Sequence, residues 1–259
     1  MIKTVREYRL LWCHFQKKYD ISFVLWLNLL SCSVFVINFY AYMSESLIMA
    51  VPKGRILEEL LPLMMAAGIV PEDEFFDSKS RLLRFKTNLP NLDIARVRSF
   101  DVVTFVAFGA AAVGVAGSDV VDEFQSDEIY APVDLGIGKC RMSVAATKGL
   151  TLNEDPSRWS HIRVATKYPK TTREYFAKKG VQTECIKLNG AMELAPQLGL
   201  CRRIVDLVSS GNTLRSNGLE EIDKIADVSS RLIVNRTALK TRGEEINNII
   251  KSFAEAVDG

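Results

Sequence analysis

The chain has 259 residues, enough for one large or two small domains with a sizeable buried core. Its 33 basic residues nearly balance 31 acidic ones, for a net charge of +2, and no basic block stands out; a dedicated nucleic-acid surface is excluded, while small anionic ligands are not. The five cysteines, Cys13, Cys32, Cys140, Cys185 and Cys201, are odd in number, widely spaced and without a CxxC pair, which fits a reducing compartment and not a disulfide framework or a zinc site.

The first 43 residues differ in character from the rest. No charged residue occurs from Ile21 to Ser44, and the stretch is rich in large apolar and aromatic side chains, so taken alone it is long enough to span a bilayer. The basic flank of Lys3, Arg6, Arg9, Lys17 and Lys18 would keep the N-terminus in the cytoplasm. The apolar run exceeds a signal-peptide core and no small-x-small cleavage site follows it. Met43 offers an alternative start.

From Leu47 onward strands and helices alternate, the pattern of an α/β protein with mainly parallel strands. Leu47–Val51 reads as a strand, Pro52-Lys-Gly-Arg55 as a loop, and Ile56, Leu57, Leu60, Leu61, Met64 and Ala67 recur at helical spacing until Gly68. Arg81–Phe85 and Ile94–Val97 read as strands and Phe100–Phe108 as a helix. Ala112–Ala116 reads as a strand leading into a helix capped by Ser118 or Asp119. A second unit begins near Lys139, with strands at Cys140–Ala145, Ile162–Ala165 and Cys185–Leu188 and helices at Thr171–Lys178 and Ala191–Leu198. Beyond Gly218 come an extended segment at Ser230–Asn235 and a final helix over Gly243–Ala256.

The segment from Asp206 to Leu219 carries the most chemistry. Arg203–Val208 has the β-branched and aliphatic content of a short buried strand, which Ser209, Ser210 and Gly211 break. The following residues can open a helix capped by Asn212 or Ser210, and converging amides at such a start attract an anion. The hydroxyls of Ser209, Ser210 and Thr213 can donate to phosphate oxygens, while Asp206 can accept from ribose hydroxyls or help hold magnesium. An ordinary polar strand-to-helix turn accounts for the same spacing. Gly109, Gly114 and Gly117 do not form GxGxxG and no GxxxxGK[ST] occurs, so neither a dinucleotide fold nor a P-loop is indicated. With only His14 and His161 in the chain, chemistry built on a histidine base is not expected.

The Asp206 segment resembles the phosphoribosyl-diphosphate loop of the ATP phosphoribosyltransferase family. Similar family stretches are Met49-Ala-Val-Pro-Lys-Gly-Arg55, Ala95-Arg-Val-Arg-Ser-Phe-Asp101, Gly114-Val-Ala-Gly-Ser-Asp119, Cys140-Arg-Met-Ser-Val144 and Leu188-Asn-Gly-Ala-Met-Glu-Leu-Ala-Pro196, in the family's order and spacing. The resemblance implies a two-lobed type II periplasmic-binding-protein-like fold, with lobe I at 44–136 plus 225–259 and lobe II at 137–224. It implies transfer of the phosphoribosyl group to N1 of the adenine of ATP with release of diphosphate and with magnesium, the first step of histidine biosynthesis. Phosphoribosyl diphosphate would be bound by Glu193, Asp206, Ser209, Ser210, Gly211, Asn212 and Thr213. ATP would be bound by Lys53, Gly54, Arg55, Arg81, Gly117 and Asp119, while Arg96 and Arg98 flank a strand as structural residues. Magnesium would be held through substrate phosphates with Glu193 or Asp206. No side chain would act as nucleophile or base; positioning and electrostatics would do the chemistry.

The chain ends where the family's short form ends, which implies a homodimer assembling with a regulatory subunit similar to histidyl-tRNA synthetase. Cytosolic substrates make a cytoplasmic protein the expectation, with no membrane and no nucleic-acid partner. Residues 1–43 are then read as an upstream extension from a mis-assigned start, with an anchor as the alternative. Two departures stand out: Ala112 in Gly109-Ala-Ala-Ala-Val-Gly114 and Arg202 in Leu200-Cys-Arg-Arg-Ile204 occupy positions where the family places acidic residues. They motivate the alternative of a degenerate paralogue serving as an assembly partner. A membrane-tethered solute-binding protein is the other alternative, since a bilobal fold behind an apolar segment has that design.

Overall fold

The structure, a computed structural model, describes residues 46–150 and 160–259. The apolar extension expected over 1–43 lies outside them. Leu47–Gly259 forms one compact unit built on two mixed sheets.

The first sheet has the order β2-β3-β1-β4-β11-β5, with β1 (Leu47–Pro52), β2 (Arg84–Lys86), β3 (Leu92–Val97), β4 (Val113–Gly117), β5 (Ile129–Asp134) and β11 (Ser230–Asn235). β1 is parallel to β3 and β4, and β11 returns antiparallel between β4 and β5. The second sheet has the order β10-β6-β9-β7-β8, with β6 (Cys140–Thr147), β7 (His161–Thr166), β8 (Gln182–Lys187), β9 (Arg203–Val208) and β10 (Leu219–Val228). β7 is parallel to β8 and β9, while β6 runs antiparallel to both β9 and β10.

The central strands β1 and β4 are apolar along their length because helices cover both faces. On one face of the first sheet Leu60 and Met64 of α1 (Arg55–Ala66) meet Ile246, Ile249 and Phe253 of α8 (Gly243–Asp258) against Met49, Val51 and Val113. On the other, Val102, Val103 and Val106 of α2 (Ser99–Ala107) and Val120 of α3 (Ser118–Phe124) pack on Ala50, Ala116 and Ile233. The second sheet holds Phe176 of α4 (Pro169–Lys178) on one face; α5 (Leu194–Gln197) and α6 (Asn212–Ser216) bring Ala195 and Leu214 to the other. Among the described residues no helix is long and apolar enough to cross a membrane.

The chain passes from the first sheet to the second after Asp134 and returns after Val228. The two crossings are hydrogen-bonded to each other: Ser230 N–H donates to Ile137 O at 2.9 Å, Leu135 N–H to Ser230 O at 2.9 Å, and Ser229 Oγ–H to Asp134 Oδ2 at 2.7 Å. Glu59 of α1 accepts from Gly138 N–H at 2.7 Å, so the start of the first helix is tied to the crossing.

Four elements were not read from the sequence: the 3₁₀ turn at Asp73–Phe76, β5, β10 and α7 (Arg236–Thr241). The helix expected over Ala191–Leu198 is only Leu194–Gln197, and the strand expected over Arg81–Phe85 is Arg84–Lys86. Asn235 organises the start of α7. Its Oδ1 accepts from Ala238 N–H at 2.8 Å and its Nδ2 donates to Val106 O at 2.9 Å, with the residue 4% exposed. Asn235→Ala removes a cap and strands the end of α2, and is expected to lower unfolding free energy by roughly 2 kcal/mol in urea titrations.

Candidate functional site

Both halves of the site are loops at the C-terminal ends of strands, where open α/β sheets place ligands. In the second sheet β9 carries Asp206 and ends at Val208; Ser209, Ser210 and Gly211 then turn the chain into α6. Gly211 has φ +73°, a left-handed conformation that glycine adopts without strain and that makes the tight entry to α6. Neither Asn212 nor Ser210 caps this helix. Gly211 is the N-cap, Ser210 Oγ accepts from Asn212 N–H at a long 3.4 Å, and the Asn212 side-chain oxygen is taken by Arg215. The carbonyls of the turn are held from behind: Arg141 donates to Ser209 O at 3.0 Å and Arg215 to Ser210 O at 3.1 Å. The hydroxyls of Ser209 and Thr213 have no partner among the described residues, and both residues are exposed.

Asp206 is half-buried and accepts from its neighbour Leu207 N–H at 2.8 Å. Burial pushes its carboxyl up to about 6, and the charges of Glu193 and Asp119 push in the same direction against Lys167. Glu193 therefore shares the field of Asp206. It follows Ala191, whose φ of +53° is rare for a residue other than glycine, and it precedes α5.

In the first sheet the loop after β1 presents Lys53 and Gly54 to solvent, and Arg55 opens α1 with a 3.5 Å contact to Glu59. After β4, Gly117 leads into α3. The expected cap by Ser118 or Asp119 is absent: Gly117 is the N-cap residue and carries no side-chain cap bond, while the Asp119 carboxylate lies against Gly117 and accepts from Tyr168 O–H at 2.7 Å across to the second sheet's side. Asp119 is 6% exposed, and burial raises its carboxyl despite the Tyr168 bond and Lys167. Burial and the adjoining Asp119 likewise raise the Tyr168 hydroxyl. The Lys167 ammonium sits 4.0 Å from the centre of the Phe100 ring. Cys140, half-buried at the crossing, is raised mainly by burial and then feels Asp119, Arg55, Asp206 and Arg141 in turn. Those charges from both sheets thus converge on one place.

Lys53, Gly54, Arg55, Gly117, Asp119, Glu193, Asp206 and Ser209 to Thr213 accordingly occupy two sets of strand-end loops, linked through Asp119, Tyr168 and Lys167. Arg81 is an exposed residue of the irregular segment before β2 and makes no hydrogen bond or ion pair to either set among the described residues. Arg96 is structural: it donates to Phe75 O at 3.0 Å and lies over the Phe75 and Phe85 rings. Lys167, Tyr168 and Glu123 were not found from the sequence. Glu123 of α3 accepts from Lys170 N–H at 3.0 Å and from Thr171 N–H at 2.9 Å, capping α4. Only the position of Lys167-Tyr168 at the end of an apolar strand offered a clue.

Ala112 is buried among β1, β4 and β11, donating to Ile48 O and accepting from Asn235 N–H, each at 2.9 Å. Arg202 is an exposed residue before the first residue of β9, the opposite end of that strand from Ser209. Neither departure lies in the strand-end loops.

A family model described as ATP phosphoribosyltransferase (HisG) matches residues 98–255. The chain is 64% identical over 215 residues to the ATP phosphoribosyltransferase of Paramagnetospirillum magneticum, covering 83% of this chain and 98% of that protein. It is 49% identical over 215 residues to the enzyme of that name from Geobacter metallireducens, covering 83% of this chain and all (100%) of that one. Among solved structures it is similar to a chain of the ATP phosphoribosyl transferase (HisG:HisZ) complex from Thermotoga maritima, with TM-score 0.68 and 29% identity, covering 82% of this chain and 98% of that chain.

Proposed function

The chain belongs to the ATP phosphoribosyltransferase family, and from that premise we propose how its two sets of loops divide the reaction. The enzyme carries out the first step of histidine biosynthesis, a phosphoribosyl transfer to ATP. Adenine N1 forms a bond to C1 of the ribose as the bond from C1 to diphosphate breaks, and positive charge develops on the ring in between. The acceptor and the leaving group are both anionic, so orientation and charge balance govern the rate.

In this reading Ser209, Ser210, Gly211, Asn212 and Thr213 receive the 5-phosphate, and Asp206 and Glu193 face the ribose hydroxyls. Lys53 and Arg55 neutralise the departing diphosphate or the ATP phosphates, and Gly117 and Asp119 adjoin the nucleotide. Arg81 is kept as an ATP contact that would need movement of the segment before β2. We propose lobes that follow the two sheets, Leu47 to Asp134 with Ser230 to Gly259 and Cys140 to Val228, so that residues 225–228, expected in lobe I, go with β10 in lobe II. The observation that carries the reading is the setting of Asp206 in β9: its carboxyl, raised to about 6, feels Glu193 and Asp119, and the turn that follows carries the Ser209 and Thr213 hydroxyls, unpartnered among the described residues.

The family generally needs a divalent metal, which we take to be magnesium. Among the described residues no cluster of three or more ligating side chains exists, but the charge of Glu193 opposes ionisation of Asp206, and two carboxylates completed by substrate oxygens suit this ion. Bound there, it would neutralise charge on the diphosphate. By analogy with the Thermotoga maritima complex, we propose that a homodimer assembles with a histidyl-tRNA-synthetase-like subunit in the cytoplasm.

The test is formation of phosphoribosyl-ATP by absorbance, with and without that subunit. Arg55→Ala is expected to reduce kcat/KM by about 10- to 100-fold while the fold is retained. Full activity of this variant would remove Arg55 from the site.

A further inference from the structure

The turn that follows β9 is held by a side-chain relay that lies outside its own sequence. Arg141, the second residue of β6, is gripped by Glu221 of β10, with Nε and Nη2 donating to the two carboxylate oxygens at 2.6 and 2.5 Å. Its remaining arm donates to Ser209 O at 3.0 Å. Ser143, two residues along the same face of β6 and fully buried, donates to Glu221 at 2.7 Å and stands opposite Asp206 in the β6–β9 ladder. The strand β10 shifts register between Glu221 and Asp223, and at this bulge Glu221 faces Arg141 and Ser143. Contact with the guanidinium holds the Glu221 carboxyl below its ordinary range.

We propose that Arg141, set by Glu221 and Ser143, is the positioning residue that aims the Ser209–Thr213 turn at the phosphate of phosphoribosyl diphosphate. The inference rests on the reading of that turn as the phosphate site. A carbonyl drawn backward onto Arg141 fixes the peptide plane after Ser209, and with it the direction of the next N–H. Arg215 repeats the grip on Ser210 O, but from within α6, so it moves with the loop; Arg141 grips the turn from a neighbouring strand of the sheet. A guanidinium can chelate a carboxylate and keep an arm for a carbonyl, whereas an ammonium satisfies one or the other.

The experiment measures KM for each substrate, kcat and melting temperature in the full-length protein, with its regulatory subunit if activity requires it. Arg141→Met is expected to raise KM for phosphoribosyl diphosphate about 10- to 100-fold, as a displaced positioning element does. KM for ATP should stay within about twofold. Glu221→Gln should shift the same constant in the same direction by less, and Arg141→Lys should restore only part of the loss. Equal changes in both KM values, or a fall in melting temperature with both constants unchanged, overturns the proposal in favour of a structural role. Thr213→Ala separates the two levels: if it impairs phosphoribosyl diphosphate use and Arg141→Met does not, only the positioning role fails. If Thr213→Ala has no effect, the phosphate-loop reading fails and this proposal with it.

Discussion

Asp206→Asn is expected to cut phosphoribosyl transfer by about 100-fold while making the unliganded protein more stable above pH 6. The two effects have one cause. In the folded chain burial, Glu193 and Asp119 all oppose ionisation of Asp206, so its carboxyl titrates at about 6 instead of at the ordinary 3.8. Below pH 3.8 it is protonated whether the chain is folded or not. Between that value and about 6 the unfolded chain ionises and the folded one does not, so stability present at low pH is lost as pH rises through the folded value. Above it the fold carries a half-buried carboxylate, a cost of up to about 3 kcal/mol that solvent screening reduces. Asparagine has the same shape, keeps an oxygen for Leu207 N–H and has no charge to desolvate. Urea unfolding at pH 5 and pH 8 checks this: the gain should be large at pH 8 and shrink toward pH 5. A variant less stable than the parent at pH 8 refutes the account. The catalytic loss follows because a neutral amide cannot supply the negative charge that opposes a developing oxocarbenium ion. A substrate or metal cation bound at Asp206 would relieve the same cost, so the site is destabilised when empty and stabilised when used.

The strands that sequence reading recovered most closely are those buried on both sides. β1, β4 and β11 are central strands whose residues are almost all buried, so each is a short apolar run bounded by turn residues. The two strands it missed lie at sheet edges. β10 is the outermost strand of its sheet and contains Glu220, Glu221, Asp223, Lys224 and Asp227, with two register shifts that break the alternation of a strand. β5, at the edge of the other sheet, includes Pro132, which is tolerated where one side of the strand is unpaired. Charge and proline protect such edges from pairing with other chains, and the same residues disguise them as loops.

The site divides along a similar line. Loops at strand ends were legible because glycine and hydroxyl residues announce a turn within a few positions. Asp119 was legible as a helix cap and, through the resemblance, as a nucleotide residue, but its partner in the fold, Tyr168, lies 49 residues away. Glu123 reaches 47 residues to Lys170, and Arg141 reaches 80 residues to Glu221. Caps were misjudged for a related reason: Asn212 has the right chemistry, but Arg215 competes for its oxygen. Local propensity names the residues able to make a bond, and the tertiary fold decides which bond is made.

Gly117→Ala should reverse the sign of its effect on stability according to what stands at position 119. A methyl group at Gly117 would lie 2.0 Å from Asp119 Oδ1 and 3.2 Å from its Cγ. The backbone there has φ −64° and ψ 145°, which alanine adopts freely, so the side-chain contact is the whole of the steric penalty. Asp119 cannot swing into water to avoid it, being 6% exposed and hydrogen-bonded by Tyr168. In the parent background Gly117→Ala is therefore expected to cost about 3 kcal/mol, in the range for forced overpacking of a buried group. It should also weaken ATP use, because displacing Asp119 breaks its bond to Tyr168 on the opposite side of the cleft. In an Asp119→Ala background the clash is gone, and the reduced freedom of the unfolded chain should make the same substitution stabilising by about 0.5 kcal/mol. A double-mutant cycle by denaturant unfolding measures the coupling directly. Equal costs in both backgrounds would show that glycine is needed there for the backbone; a change of sign would show that it is needed to make room for the carboxylate.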